Sequence, residues 1–128
     1  MKIDYKNLIK KALEARENSY SPYSNFRVGA CALCENGKTY LGTNIENASF
    51  GLTNCAERTA IFSAVASGER NFKAIAIVAS DENYCYPCGA CRQVIAQFMK
   101  DAEIICAKTV DDYKIYKIND LLPNSFEF

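Results

Sequence analysis

Cys55-Ala56-Glu57 and, further along, Pro87-Cys88-Gly89-Ala90-Cys91 carry the reactive side chains that stand out in this 128-residue chain. The sequence contains no histidine, so a zinc site here must be built from thiolates. A catalytic zinc takes three protein ligands in a tetrahedron, with sulfur at about 2.3 Å, and leaves the fourth position open. Cys55, Cys88 and Cys91 supply that count. A zinc held in this way acidifies water at neutral pH. Glu57, two residues beyond one ligand, is placed to face that water without being a ligand, to take its proton and to deliver protons to a reacting group. The pattern therefore predicts hydrolysis at one zinc ion.

Three thiolates and a dication sum to a single negative charge, which weakens the metal as a Lewis acid. Arg58 lies three residues after Cys55 on the same helix, and its guanidinium is expected to reach a ligand sulfur and offset that charge. The competing structural explanation for Glu57 is a capping box, with Asn54 as the N-cap. The second cysteine cluster favours chemistry, and the two roles are not exclusive.

Seven cysteines allow other pairings. Cys31 and Cys34 fall in a strand, where residues three apart point to opposite faces and cannot share a metal. Cys85 precedes its helix and lacks helical N–H groups, while Cys106 alternates within an apolar strand. Both are expected to be packing residues.

The ligands need elements to hold them. Tyr5, Leu8, Ile9, Ala12 and Leu13 form the stripe of an amphipathic helix from Asp4 to about Asn18. Phe26 to Cys34 and Thr39 to Thr43 read as strands flanking the Asn36-Gly37 turn, hence as an antiparallel hairpin. A helix after Asn54 runs to Ser67 and stops at Gly68, and Phe72 to Ala79 is a buried strand. A helix from Cys88 to about Met99 leads into a strand from Glu103 to Ala107, so these two strands should be parallel. The last strand, Tyr113 to Ile118, follows too closely for a crossover and should run antiparallel. Both metal-bearing segments thus open helices, whose N-termini lower thiol pKa and favour the thiolate that zinc requires.

The totals are consistent with this. A chain of this length can bury a core without disulfides and needs only one domain, drawn here as 1–128. Fifteen basic and fifteen acidic residues cancel, leaving no basic field for a polynucleotide. An odd cysteine count, no apolar run long enough for a membrane and no signal peptide at Met1-Lys2-Ile3-Asp4 point to the cytoplasm.

From about Tyr20 to Phe126 the chain resembles the homotetrameric zinc-dependent cytidine deaminases of the cytidine/deoxycytidylate deaminase superfamily. The likeness rests on Asn54-Cys55-Ala56-Glu57-Arg58-Thr59-Ala60 and Pro87-Cys88-Gly89-Ala90-Cys91-Arg92-Gln93. It extends to Tyr23-Ser24-Asn25-Phe26-Arg27-Val28-Gly29-Ala30 and Asn44-Ile45-Glu46-Asn47-Ala48. The resemblance implies a three-layer α-β-α fold with a mixed five-stranded sheet, one Zn2+ per subunit, and hydrolysis of cytidine and deoxycytidine to uridine and deoxyuridine with release of ammonia. By the same likeness Phe26 and Ala56 contact the nucleoside, Asn44 and Glu46 accept hydrogen bonds from the sugar 3′-hydroxyl, and Phe126 stacks on a pyrimidine bound in a neighbouring subunit. A carboxylate beside the sugar would repel a phosphate, favouring free nucleosides. The sequence departs from the family at Phe50, where tyrosine is common, and at Tyr86, where a small residue is usual; these departures bear on hydrogen bonds near the interface and on the space around the leaving amine. Two rivals are a deaminase of another amino-heterocyclic nucleoside and a non-catalytic zinc-stabilised interaction module.

Overall fold

In the computed structural model, which describes residues 2–128, a five-stranded sheet is ordered β2-β1-β3-β4-β5. The strands are β1 (Val28–Cys34), β2 (Thr39–Thr43), β3 (Phe72–Ala79), β4 (Glu103–Thr109) and β5 (Asp112–Tyr116). β1 pairs antiparallel with both β2 and β3, β3 and β4 are parallel, and β5 returns antiparallel to β4. The mixed sheet and the directions of the β1–β2, β3–β4 and β4–β5 pairs match the sequence reading; the antiparallel β1–β3 pairing is an addition from the structure. Gly37 takes φ +90° in the turn between β1 and β2, a conformation open to glycine at little cost.

Helix α1 (Tyr5–Arg16) covers one face of the sheet, packing Leu8, Ile9 and Ala12 against Cys31, Ala76 and Val78. Helices α2 (Ala56–Ala66) and α3 (Gly89–Phe98) cover the other, where Ala60, Ile61 and Ile95 meet Ala32, Ile75, Ile77 and Ile104. The result is the expected α-β-α sandwich. Cys31 and Cys34 lie in opposite core layers, as strand alternation requires. They share no metal site.

Some element bounds differ from the sequence expectation. β1 begins at Val28 rather than Phe26, because Asn25 turns the chain with φ +57° and the Phe26 carbonyl is claimed by the Asn44 side chain. β5 stops at Tyr116; the Lys117 N–H is taken by Asp120, and Ile118 opens a short helix, α4 (Ile118–Leu121). A single 3-10 turn, Phe50–Leu52, stands in the loop before α2.

Among the described residues no helix is long and apolar enough to cross a membrane.

Candidate metal centre and active site

Two helix entrances meet at one point. Cys55 is the N-cap of α2 and Cys88 the N-cap of α3, with Cys91 one turn into α3. Neither cap side chain bonds its own helix, which leaves both sulfurs free to face each other. The Sγ atoms of Cys55, Cys88 and Cys91 all lie within 4.8 Å of one another, and Cys55 and Cys88 approach to 3.7 Å. Two sulfurs on a tetrahedral zinc at about 2.3 Å stand roughly 3.8 Å apart. The spacing and the soft donor set therefore fit zinc.

The electrostatics separate these thiols from the rest. A hydrogen bond from the Cys91 thiol, followed by contacts from Arg58 and Cys88, outweighs the opposing effect of burial and brings Cys55 down to about 5. Cys91 moves the other way, because it keeps its proton beside the Cys55 thiolate. A metal entering this trio displaces that shared proton. Elsewhere burial, with smaller contributions from nearby acidic groups, drives the thiols up: Cys31 to about 12, Cys34 to about 11, Cys106 to about 12, and Cys85 upward as well. These four stay protonated, as their packing role predicts.

Glu57 points into the interior at 4% exposure, and desolvation there raises its carboxyl to about 7. It is the second residue of α2, not the third. Asn54 is not the N-cap; its side-chain amide donates instead to Thr59 Oγ1 at 3.0 Å. The capping box is absent, so helix capping does not account for this buried acid. Arg58 donates from Nη2 to Cys55 Sγ at 3.3 Å, the contact expected from their spacing, while its buried Nε has no hydrogen-bond partner.

A second cluster forms around the loop before β1. Glu46 Oε1 accepts from the backbone N–H groups of Tyr23 (2.9 Å) and Ser24 (3.2 Å), and Oε2 accepts from the Ser24 hydroxyl. The Ser24 hydroxyl bond, chiefly, holds the Glu46 carboxyl below its usual range. Ser24 Oγ also accepts from the Phe26 N–H at 3.0 Å, so one hydroxyl links two of the predicted nucleoside contacts. Ser24 carries no signal of its own in the sequence and is visible there only as part of the Tyr23-Ser24-Asn25-Phe26 stretch.

Asn44 is buried, and its Oδ1 already accepts from Val28 N–H and from the Ser19 hydroxyl. Both lone pairs of that oxygen are thus engaged, so a contact from Asn44 to a sugar hydroxyl would fall to its amide N–H. One N–H of its amide holds the Phe26 carbonyl at 2.7 Å, leaving the other as a donor. Between Asn44 and Glu46, Ile45 exchanges two backbone hydrogen bonds with Asn54, both at 2.9 Å. The Glu46 cluster is thereby fastened to the residue immediately before Cys55. Tyr23, Ser24, Glu46, Asn47, Phe50 and Thr53 line a cavity of about 350 Å³ beside it.

Phe26 is partly exposed and Ala56 is fully buried in the first turn of α2. Phe126 is exposed, in edge-to-face contact with Phe128 and not packed into a core. Tyr86 does not turn toward the sulfurs. Its ring lies edge-on to Tyr116 at 5.8 Å, with the two hydroxyls 3.2 Å apart. Its bulk is thus directed onto β5.

This arrangement has counterparts among known proteins. Residues 2–108 match the family model described as the cytidine and deoxycytidylate deaminase zinc-binding region. The chain is 47% identical over 125 residues to a cytidine deaminase of Halalkalibacterium halodurans, covering 97% of this chain and 95% of that one. It superposes on a crystal structure of cytidine deaminase from Burkholderia pseudomallei with a TM-score of 0.92 at 46% identity, covering 97% of this chain and all of that one. A crystal structure of the Mycobacterium tuberculosis enzyme gives 0.88 at 34% identity over 99% of this chain and 100% of that chain. With its sulfur trio placed for zinc and these likenesses spanning nearly its whole length, the chain belongs to the zinc-binding cytidine and deoxycytidylate deaminase family.

Proposed function

We propose that this protein is a zinc-dependent cytidine deaminase of pyrimidine salvage, converting cytidine and deoxycytidine to uridine and deoxyuridine with release of ammonia. The observation that carries the reading is the convergence of Cys55, Cys88 and Cys91 beside the buried Glu57, in a chain of this family.

Cys55, Cys88 and Cys91 would hold the ion. When bound, zinc supplies Lewis-acid chemistry that acidifies a water molecule at neutral pH. Glu57 takes a proton from the attacking water and passes it to the pyrimidine ring nitrogen. As the water oxygen bonds to the ring carbon, Glu57 carries the remaining hydroxyl proton to the amine, which leaves as ammonia when its C–N bond breaks, so the two protons of water end on the ring nitrogen and on ammonia. A carboxyl whose affinity for protons lies near neutrality suits both acceptance and release. Arg58 supports this by drawing charge from the Cys55 sulfur.

The nucleoside lies between Phe26, the first turn of α2 at Ala56, and the Glu46 loop. Glu46 Oε2 has capacity left to accept the 3′-hydroxyl, and Asn44 contributes as a donor and as the anchor of Phe26. The carboxylate disfavours phosphate nearby, so free nucleosides are the substrates, and neither polynucleotide nor membrane is a partner.

The working unit is a single domain, 1–128, in a cytoplasmic homotetramer with shared active sites. Tyr20, Tyr23, Phe50, Leu52 and Phe126 are all more than half exposed, and a second copy of the chain would cover such apolar rings and side chains. Phe126 then reaches the neighbour's pyrimidine. Sizing in solution checks the assembly.

The reaction is tested by following ammonia release from cytidine, deoxycytidine and cytidine monophosphate. Turnover of the two nucleosides alone is expected. Comparable turnover of the monophosphate would contradict the sugar contact, and no turnover of any would contradict the assignment.

A further inference from the structure

The first turn of α3 does more than carry two sulfurs. Arg92, next to Cys91, donates from Nε to the Pro87 carbonyl at 2.7 Å and from Nη1 to the Leu121 carbonyl at 2.7 Å. Its planar fork therefore grips the residue before Cys88 with one arm and the end of α4 with another. Gln93, the next residue, donates from Nε2 to the Phe126 carbonyl at 3.1 Å. Beyond Leu121 the chain has no regular structure, and its two phenylalanine rings stack on each other in the open rather than in a core. Hydrogen bonds from the metal-bearing turn thus hold a tail that has little burial of its own.

We propose that Arg92 and Gln93 are positioning residues that fasten residues 122–128 to the turn carrying Cys88 and Cys91, so that zinc occupancy and tail order are linked. The physical reason lies in the turn itself. The first N–H groups of a helix have no partners within it, and this turn frays readily unless something pins it. Ligation of Cys88 and Cys91 pins both its ends. Without that constraint the Pro87 carbonyl and the two donors shift together, and the tail loses its hold. Where Phe126 serves a neighbouring site, the link also makes nucleoside binding there depend on metal in the subunit that lends the ring. That consequence rests on the function proposed above; the tether does not.

The test is backbone 15N relaxation across the full chain in three samples: zinc-loaded protein, chelator-stripped protein, and zinc-loaded Gln93→Glu, which keeps the shape but removes the donor. Order parameters of residues 124–128 should fall to below about 0.6, the flexible range, in Gln93→Glu and at least as far on stripping, with the β3 amides unchanged in both. Tail order unaltered in either sample would overturn the link. So would a general fall that includes β3 on stripping, because the tail would then report unfolding. Kinetics separate the two layers: Gln93→Glu should raise KM with kcat nearly constant, as should Phe126→Ala. If Phe126→Ala leaves KM unchanged while the relaxation result holds, the tether stands and the shared-site role of Phe126 fails.

Discussion

Arg58 Nη2 lies 3.3 Å from Cys55 Sγ, so a guanidinium rests on one of the three thiolates that would face the metal. Removing that charge leaves all three ligands in place. Arg58→Gln should therefore keep its zinc while kcat falls about 10-fold or more, the usual cost of losing a partner that tunes a metal ligand. Steady-state kinetics with metal analysis on the same sample decides this. Unchanged rates with lost zinc would reverse the assignment.

Among the described residues Glu57 is the only buried carboxylate, and burial has raised its proton affinity. Glu57→Gln replaces it with a neutral group of the same shape. Activity should drop by roughly 10²–10⁴-fold, the range for a lost general acid–base. Zinc content and thermal stability should be maintained, since no buried charge is stranded. A variant that loses its metal would make Glu57 structural.

The Ser24 hydroxyl connects Glu46 to the Phe26 backbone. Ser24→Ala should raise KM for cytidine about 10-fold or more, the cost of losing a hydrogen bond to a charged group. The same variant should show little further penalty with 3′-deoxycytidine, which lacks the hydroxyl that Glu46 would accept. An equal penalty for both nucleosides would place Ser24 outside sugar recognition.

Gly42 faces α2 so closely that an added Cβ would collide with the Ala56 carbonyl and the Ala60 N–H. The helix bearing Cys55, Glu57 and Arg58 is seated directly on the backbone of β2. Gly42→Ala should destabilise the fold by about 1–3 kcal/mol, the usual cost of overpacking, and weaken zinc affinity by displacing that helix. Denaturant titration with and without zinc measures both effects; unaltered zinc affinity would show that Gly42 does not set the position of Cys55.

Where the sequence was read correctly, local signals and the final structure agreed. Asn36-Gly37 required a tight turn, the spacing from β3 to β4 required a parallel crossover, and Pro87 with Cys88 and Cys91 marked a helix entrance. The cysteine trio was legible because helix starts impose their own geometry. What escaped depended on contacts between segments distant in sequence. The occupied oxygen of Asn44, the bridging hydroxyl of Ser24 and the turn of Tyr86 onto Tyr116 each follow from tertiary neighbours that no local period encodes. The early end of β5 has a local origin instead: Asp120 captures the Lys117 N–H three residues before it, a helix cap hidden under the apolar alternation of the strand.

The most direct test of the central claim is a zinc titration of metal-stripped protein in the presence of cytidine, following uridine formation. Activity should rise from zero in proportion to added metal and saturate at one zinc per chain. Uridine formation by the stripped protein, or none at any zinc level, would contradict the account.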